Sequence, residues 1–527
     1  MTCLQQIKRI LPVALMAVTL KTWAACPVLT TAGKPANPAH DEIAQLLASS
    51  VRCPDDVFKF RHLLKYSGLQ LETTMVANRG FHNPAEGSFS LFEMVSGTSS
   101  ISHNNLLPGD FFFGHFTAVS EDNQLVADQT PTKGALMIEA FAWDNEKNLF
   151  NFYELRGNGE RGQWFYRGDS ADVLADNQFL HRQPDAANPQ FGNRLRCSAC
   201  HDHGGPIMKE LHAPHNDWWT PQRKLDFQGR QPDATLRDMM VTLVSPDRLT
   251  RSVVLGIKKL SGSTSYQAAM PTLQEQLRPL FCAVEVNFRS DITPNELKQP
   301  FIAMPTEFLI DPILLTADTK HPLMIARKDY EAALASTGSH FPETTLMDAD
   351  HAWLAPVKAT SDHQAITALL QQHIIDAKFA ADVIAIDMTN PAFSTQRCKL
   401  LTLLPAAWTP DWQAQFVKKL EQSEAPSARQ LAEYLKDQQM TPPIHQKHAS
   451  EFLNKCRTKL HQSQPVINMY QLLVQRRLEI KASEISKNPR GQILEPGFRV
   501  IFPEVSHPPT PGQFHLDAEC NLADADH

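Results

Sequence analysis

Apolar positions at helical spacing open and close this chain, with strand-like runs between them. Near the start, Ile43, Leu46 and Leu47 recur at three- and four-residue steps, which predicts a helix within residues 40–51. The next part turns to strands. LMIEAFAW (136–143) and LFNFYEL (149–155), rich in aromatic and β-branched residues, flank Asp144 to Asn148 and predict a β-hairpin, with QWFYR (163–167) extending the sheet. Further on, LRPLFCAVEVNF (277–288) is apolar enough for a core, whereas 291–395 reads as short helices mixed with loops. Thr409-Pro410 has the form of an N-cap followed by a first-turn proline, and Trp412, Phe416 and Leu420 then repeat every four residues. Helices around 427–435 and 466–478, a closing strand at 497–503 and a proline-rich arm at 503–511 complete the reading.

Composition sets the scale. The chain has 527 residues, 42% hydrophobic and 20% charged, and so is globular, with length for roughly three domains. Its 37 prolines are spread along the chain and favour many turns over long coiled coils. A net charge of −7 without a long basic run excludes a sequence-independent grip on nucleic acid, which needs clustered Lys and Arg on phosphates.

Residues 1–25 carry Lys8 and Arg9, an apolar run from Ile10 to Leu20, and small residues at Ala24 and Ala25, the layout of a secretory signal peptide. The apolar run is too short to span a bilayer, and no later stretch is apolar enough to do so. Its removal takes Lys8, Arg9 and Lys21 and no acid, leaving a mature charge of −10. Cys26 after Trp23-Ala24-Ala25 resembles a bacterial lipoprotein box, although Trp23 stands where Leu is usual. The expectation is therefore a periplasmic protein, with a lipid anchor at Cys26 or simple cleavage as alternatives.

Nine cysteines occur, and Cys3 leaves with the signal. Cys197-Ser198-Ala199-Cys200-His201 is the CxxCH pattern of c-type haem attachment, expected by chance only about 0.006 times at this chain's own Cys and His frequencies. Two thiols separated by two residues can form thioethers to the two vinyl groups of one haem while the adjacent imidazole reaches the iron. Three other readings compete. A thioredoxin-like pair needs a preceding strand that FGNRLRCSACHDHGGPIM does not offer. Zinc on Cys197, Cys200, His201 and His203 would crowd four ligands that structural sites normally draw from two distant couples. A plain disulfide is the third.

On these residues the chain resembles the c-type cytochromes, over the motif and at most about residues 190–290. The resemblance implies one covalent haem c, attachment in the periplasm and electron transfer, with Cys197 and Cys200 as thioether cysteines and His201 as proximal ligand. Small cytochromes place a Gly-Pro somewhat later than Gly204-Gly205-Pro206, so the acceptor for the second imidazole N–H is left open. For the distal face, Met270-Pro271 resembles the Met-Pro pair of small cytochromes. Met304 (also before a proline), His212 and His215 are the alternatives, and Met208 lies too near His201 to reach easily. Met239 and Met240 read as core, and Trp218-Trp219 as ordinary packing.

Gly157-Asn158-Gly159-Glu160-Arg161-Gly162 is formally GxGxxG but runs into Gln163-Trp164-Phe165-Tyr166 rather than into a helix, so it reads as a hairpin turn and not a dinucleotide loop. Six cysteines (26, 53, 282, 398, 456, 520) remain for three disulfides, and only Cys26–Cys53 is assigned, on proximity. The expected architecture is an α+β multidomain chain. It comprises the signal peptide 1–25, a β-rich N-terminal domain 26–185 closed by the link 182–190, a mainly α cytochrome c-like segment 186–290, a mixed region 291–395, and a mainly helical region 396–527. The expected function is electron transfer through one covalent haem, with a redox partner protein. The alternatives are a haem oxidoreductase with an open sixth iron position and a haem-anchored sensor or scaffold. The absence of a second CxxCH weighs against the dihaem peroxidases.

Overall fold

The computed structural model describes residues 26–30, 33–36, 40–77, 89–117, 136–157, 162–177, 201, 203–206, 234–270, 272–282, 286–290, 300–304, 309–316, 321–337, 354–392, 394–437, 444–472 and 514–524. The expected signal peptide, the link 182–190, Cys197, Cys200, Met208, His212, His215, Trp218, Trp219, the 497–503 strand and the proline-rich arm lie outside them.

In the N-terminal half the order is β1 (Val28–Leu29), α1 (Glu42–Ser49), α2 (Val57–Tyr66), β2 (Gln70–Ala77), β3 (Phe89–Thr98), β4 (Asn105–Thr117), β5 (Leu136–Asp144), β6 (Leu149–Gly157), β7 (Gly162–Asp169) and α3 (Ser170–Asn177). Then come α4 (Ala234–Val241), α5 (Pro246–Ser261), α6 (Thr264–Ala268) and α7 (Leu273–Phe281). The strands form one seven-stranded mixed sheet, ordered β1-β7-β6-β5-β4-β3-β2, antiparallel except for β1 beside β7. The predicted hairpin is β5–β6, and β7 extends it. Gly157 pairs with Gly162 across the next hairpin, so the GxGxxG string links two strands and opens no helix.

Successive side chains leave a strand on opposite faces, and both faces of this sheet are covered. Phe111, Phe113, Ile138, Ala140, Tyr153 and Trp164 pack under α1 and α2, where Ile43, Leu46, Leu47, Phe60 and Leu64 are buried. On the other face Met94 and Phe112 meet Leu249, Val253 and Ile257 of α5, while Trp143, Phe150 and Phe152 meet Val173 of α3, Leu260 of α5 and Tyr266 of α6. Helix α5, from the segment 186–290, is thus seated directly on the sheet. The β2 edge is closed from outside, since Thr73 N–H donates to Thr242 O and Val244 N–H to Thr73 O, both at 2.8 Å. Arg61, fully buried on α2, pairs with buried Glu93 of β3 and with Asp238 of α4 (2.9 Å), tying helix, sheet and edge together.

The C-terminal half comprises β8 (Val286–Ser290), β9 (Phe301–Met304), β10 (Leu323–Ala326), α8 (Arg327–Thr337), β11 (Leu354–Lys358), α9 (Thr360–Gln371), α10 (Ala377–Ala385), α11 (Thr395–Leu400), α12 (Trp412–Gln422), α13 (Pro426–Lys436), α14 (Ile444–Leu460), β12 (Phe514–Leu516) and β13 (Leu522–Asp524). It shares one core with α7, in which Phe281, Phe379, Trp412 and Phe416 meet edge to face or tilted. The coarse expectation of a β-rich first half and a helical second half holds. The mixed region adds β9, β10 and β11 to the expected helices, β9 and β10 pairing with each other and β11 pairing with β8 of the preceding segment, both antiparallel.

The predicted face Trp412, Phe416 and Leu420 is buried, but its helix begins two residues later than Thr409-Pro410 implies. Residues 409–412 form a separate turn, with Trp412 N–H donating to Thr409 O at 3.0 Å, and the Gln415 amide bridges Thr409 and Asp411 side chains. Residues 463–472 are helical, as expected from 466 onward.

All six cysteines outside the motif are paired, as Cys26–Cys53, Cys282–Cys398 and Cys456–Cys520. The first is the assigned pair. It also corrects the lipid-anchor alternative, because a sulfur bonded to Cys53 is not available for acylation. No helix among the described residues is long and apolar enough to cross a membrane.

Candidate functional site

The described part of the motif is its imidazole, and His201 with residues 203–206 is clamped at a corner of the fold. Gly204 N–H donates to His201 O at 2.8 Å to close a turn. Gly204 sits at φ +75°, where a side chain is strained, and its missing Cβ would lie 2.7 Å from Ser170 O. That contact is tight because Ser170, the first residue of α3, holds both neighbours. Its hydroxyl donates to Gly204 O (2.7 Å) and accepts from Phe150 N–H of β6 (3.0 Å). The Tyr266 hydroxyl of α6 donates to His203 O at 2.7 Å. Pro206 closes the corner against Gly256 of α5, where a Cβ would meet its Cγ at 2.7 Å. Sheet, α3, α5 and α6 therefore converge on this loop.

The His201 ring packs on Phe141 and Phe152, with centroids 5.2 and 5.4 Å away. Its Nδ1 lies 2.7 Å from the Gly205 carbonyl. A carbonyl can only accept, so Nδ1 carries the proton and Nε2 holds the lone pair, the tautomer that a metal-ligating histidine needs. Burial, opposed by the Gly205 carbonyl and assisted by nearby His203, lowers the imidazole to about 4, so the ring is neutral at neutral pH. On both counts the residue fits a haem iron. The acceptor left open by the early Gly204-Gly205-Pro206 is the backbone of Gly205.

Of the distal candidates, Met270 is partly buried against the cluster that contains Trp143, Phe150, Phe152 and Tyr266, and Phe152 of that cluster also touches the His201 ring. Met304 is placed elsewhere, buried opposite Leu323 in the C-terminal core. Met239 is buried under the sheet, as expected of a core residue. Among the described residues no group of three or more His, Cys, Asp or Glu is arranged to hold a metal ion.

No protein family, curated protein or solved structure matches the chain. Sequence reasoning missed Ser170 and Tyr266, which act through backbone carbonyls and leave no motif. It also missed a cavity of about 700 Å³ beside the loop, lined by His203 and Met270 and extending between α3, α7 and α9. His201 itself is not on its wall.

Proposed function

We propose that the chain is an exported monohaem c-type protein acting in electron transfer, with the haem carried by a mainly α segment within 186–290. Cys197 and Cys200 would hold haem c through thioethers, and His201 would serve its iron through Nε2. The observation that supports this best is the CxxCH string ending in a histidine whose Nδ1–H is committed to the Gly205 carbonyl at 2.7 Å. Bound haem c supplies one-electron exchange between ferric and ferrous iron.

The chain's own residues set the conditions for that exchange. Ser170, Tyr266 and Pro206 fix the loop, and so would hold the imidazole in one orientation toward a bound haem. Phe141 and Phe152 wall its ring with apolar surface, which limits water around the ligand and favours a small reorganisation on electron transfer. Met270, packed against the cluster that includes Phe152, is the residue that would serve as a second protein ligand to a bound haem, which favours the carrier over the alternative of an open position. The paired cysteines outside the motif accord with the oxidising periplasm, and a redox protein is the expected partner.

The test is expression in a host competent for haem attachment, followed by intact mass and optical spectra. One added haem that resists acid-acetone extraction is expected, and it should be lost from the Cys197→Ser/Cys200→Ser variant. The iron should be low-spin and indifferent to cyanide, turning high-spin in Met270→Ala. A colourless, iron-free product would refute the reading.

A further inference from the structure

The cavity beside the loop also carries charged residues that the proposed electron transfer does not use. Arg278 and Glu275, from α7, and Asp362, from α9, line it together with an apolar wall that includes Leu174, Leu369 and Ile374. Its volume of about 700 Å³ is that of a site for a small organic molecule.

The charges are committed unequally. Glu275 completes the capping box of α7, its Oε2 accepting from Thr272 N–H at 3.1 Å and from the Thr272 hydroxyl at 2.9 Å. Asp362, almost fully buried in the first turn of α9, adds a second fixed negative charge, felt also by Lys358. Arg278 has no hydrogen bond or ion pair with another side chain among the described residues, and the charge acting on it is that of Glu275. A largely buried guanidinium keeps a planar fork of donors suited to a carboxylate. Among the described lining residues, besides His203, one cation and two carboxylates disfavour a simple dianion, which the acids would repel, and a simple cation, which would leave the guanidinium unmatched.

We propose that this cavity binds a zwitterion of the amino-acid or short-peptide class, its carboxylate on Arg278 and its ammonium toward Glu275 and Asp362, with the side chain against the apolar wall. The three charged residues lie outside the CxxCH loop, while Met270, the proposed distal residue, shares the cavity's wall with them.

Isothermal titration of the full mature chain with alanine, leucine, phenylalanine, glutamate and the dipeptide Ala-Leu tests it. At least one should bind saturably. With the wild-type chain, the amide of that ligand, lacking the carboxylate, and its 2-hydroxy acid, lacking the ammonium, should each bind about tenfold or more weakly, the factor that one charge-assisted contact supplies. Arg278→Gln should weaken the parent ligand by a similar factor, whereas Arg248→Gln, on the exposed pair with Glu72, should not. Because the analogue arms use unaltered protein, misfolding of a variant cannot decide the outcome. The proposal is overturned if none of the five ligands binds, if the amide or the hydroxy acid binds as well as the parent, or if folded Arg278→Gln binds it unchanged.

Discussion

Replacing Gly204 by alanine puts one methyl group where the fold leaves no room for it, and the cost can be worked out. Gly204 has φ +75°, and its added Cβ would stand 2.7 Å from Ser170 O and 3.1 Å from Ser170 Cα. Left-handed backbone costs an L-residue about 1–2 kcal/mol, and forcing an extra carbon into packed surroundings about 1–3 kcal/mol more. Gly204→Ala should thus lose about 2–5 kcal/mol. Gly33 provides the control, with φ +72° and no atom within 4 Å of its built Cβ. Gly33→Ala meets the conformational cost alone, about 1–2 kcal/mol. Both variants restrict the unfolded chain equally, so the difference between them isolates the collision with Ser170. Urea unfolding followed by far-UV circular dichroism, with the m-value checked for constancy, measures both. Equal losses in the two variants would show that the loop can move away from α3, and the clamp on the His201 turn would have to be abandoned.

Three other outcomes follow from the same structure. Asp41 is fully buried, and burial, against hydrogen bonds from Tyr153 (2.5 Å), Ala44 and Asn151, raises its carboxyl from 3.8 to about 6. The folded state then keeps a proton that the unfolded chain has released between those values, so this group's contribution falls as pH rises through 4–6. Stability of Asp41→Asn relative to wild type should therefore improve by about 2 kcal/mol between pH 4 and 7, and pH-independent parallel curves would refute the linkage. Removing the Cys282–Cys398 bond, which closes 116 residues, by double alanine substitution should cost about 5 kcal/mol of denaturant-measured stability. Arg61→Met leaves Glu93 charged and buried and should cost about 3–5 kcal/mol, much of it recovered when Glu93→Leu is added; a double variant no better than the single would refute the ion-pair account.

What could be read from the sequence depended on how each element is covered. The faces Ile43-Leu46-Leu47 and Trp412-Phe416-Leu420 were legible because each helix buries one side only. Strand β4 gave no alternation, since Phe111 and Phe113 enter one core and Phe112 the other, and a run of three phenylalanines has no visible period. Helix α14 escaped notice for a different reason. Its buried positions include Ala449 and Cys456 beside Phe452, Leu453 and Leu460, small residues that do not announce a core face. The CxxCH string displayed its own chemistry. The acceptor for His201 did not, because a Gly205 carbonyl looks like every other carbonyl until the chain has folded back on itself. Arg278 was equally silent, because its meaning comes from α9, which is distant in sequence.

The Cys456–Cys520 bond gives the end of the chain a second attachment that does not run through the backbone. A protease that cuts anywhere between residues 457 and 519 severs the polypeptide without releasing its last hairpin, and the two fragments migrate as one until a reductant is added. Retention of that hairpin on α14 thereby becomes a question of redox surroundings rather than of chain continuity.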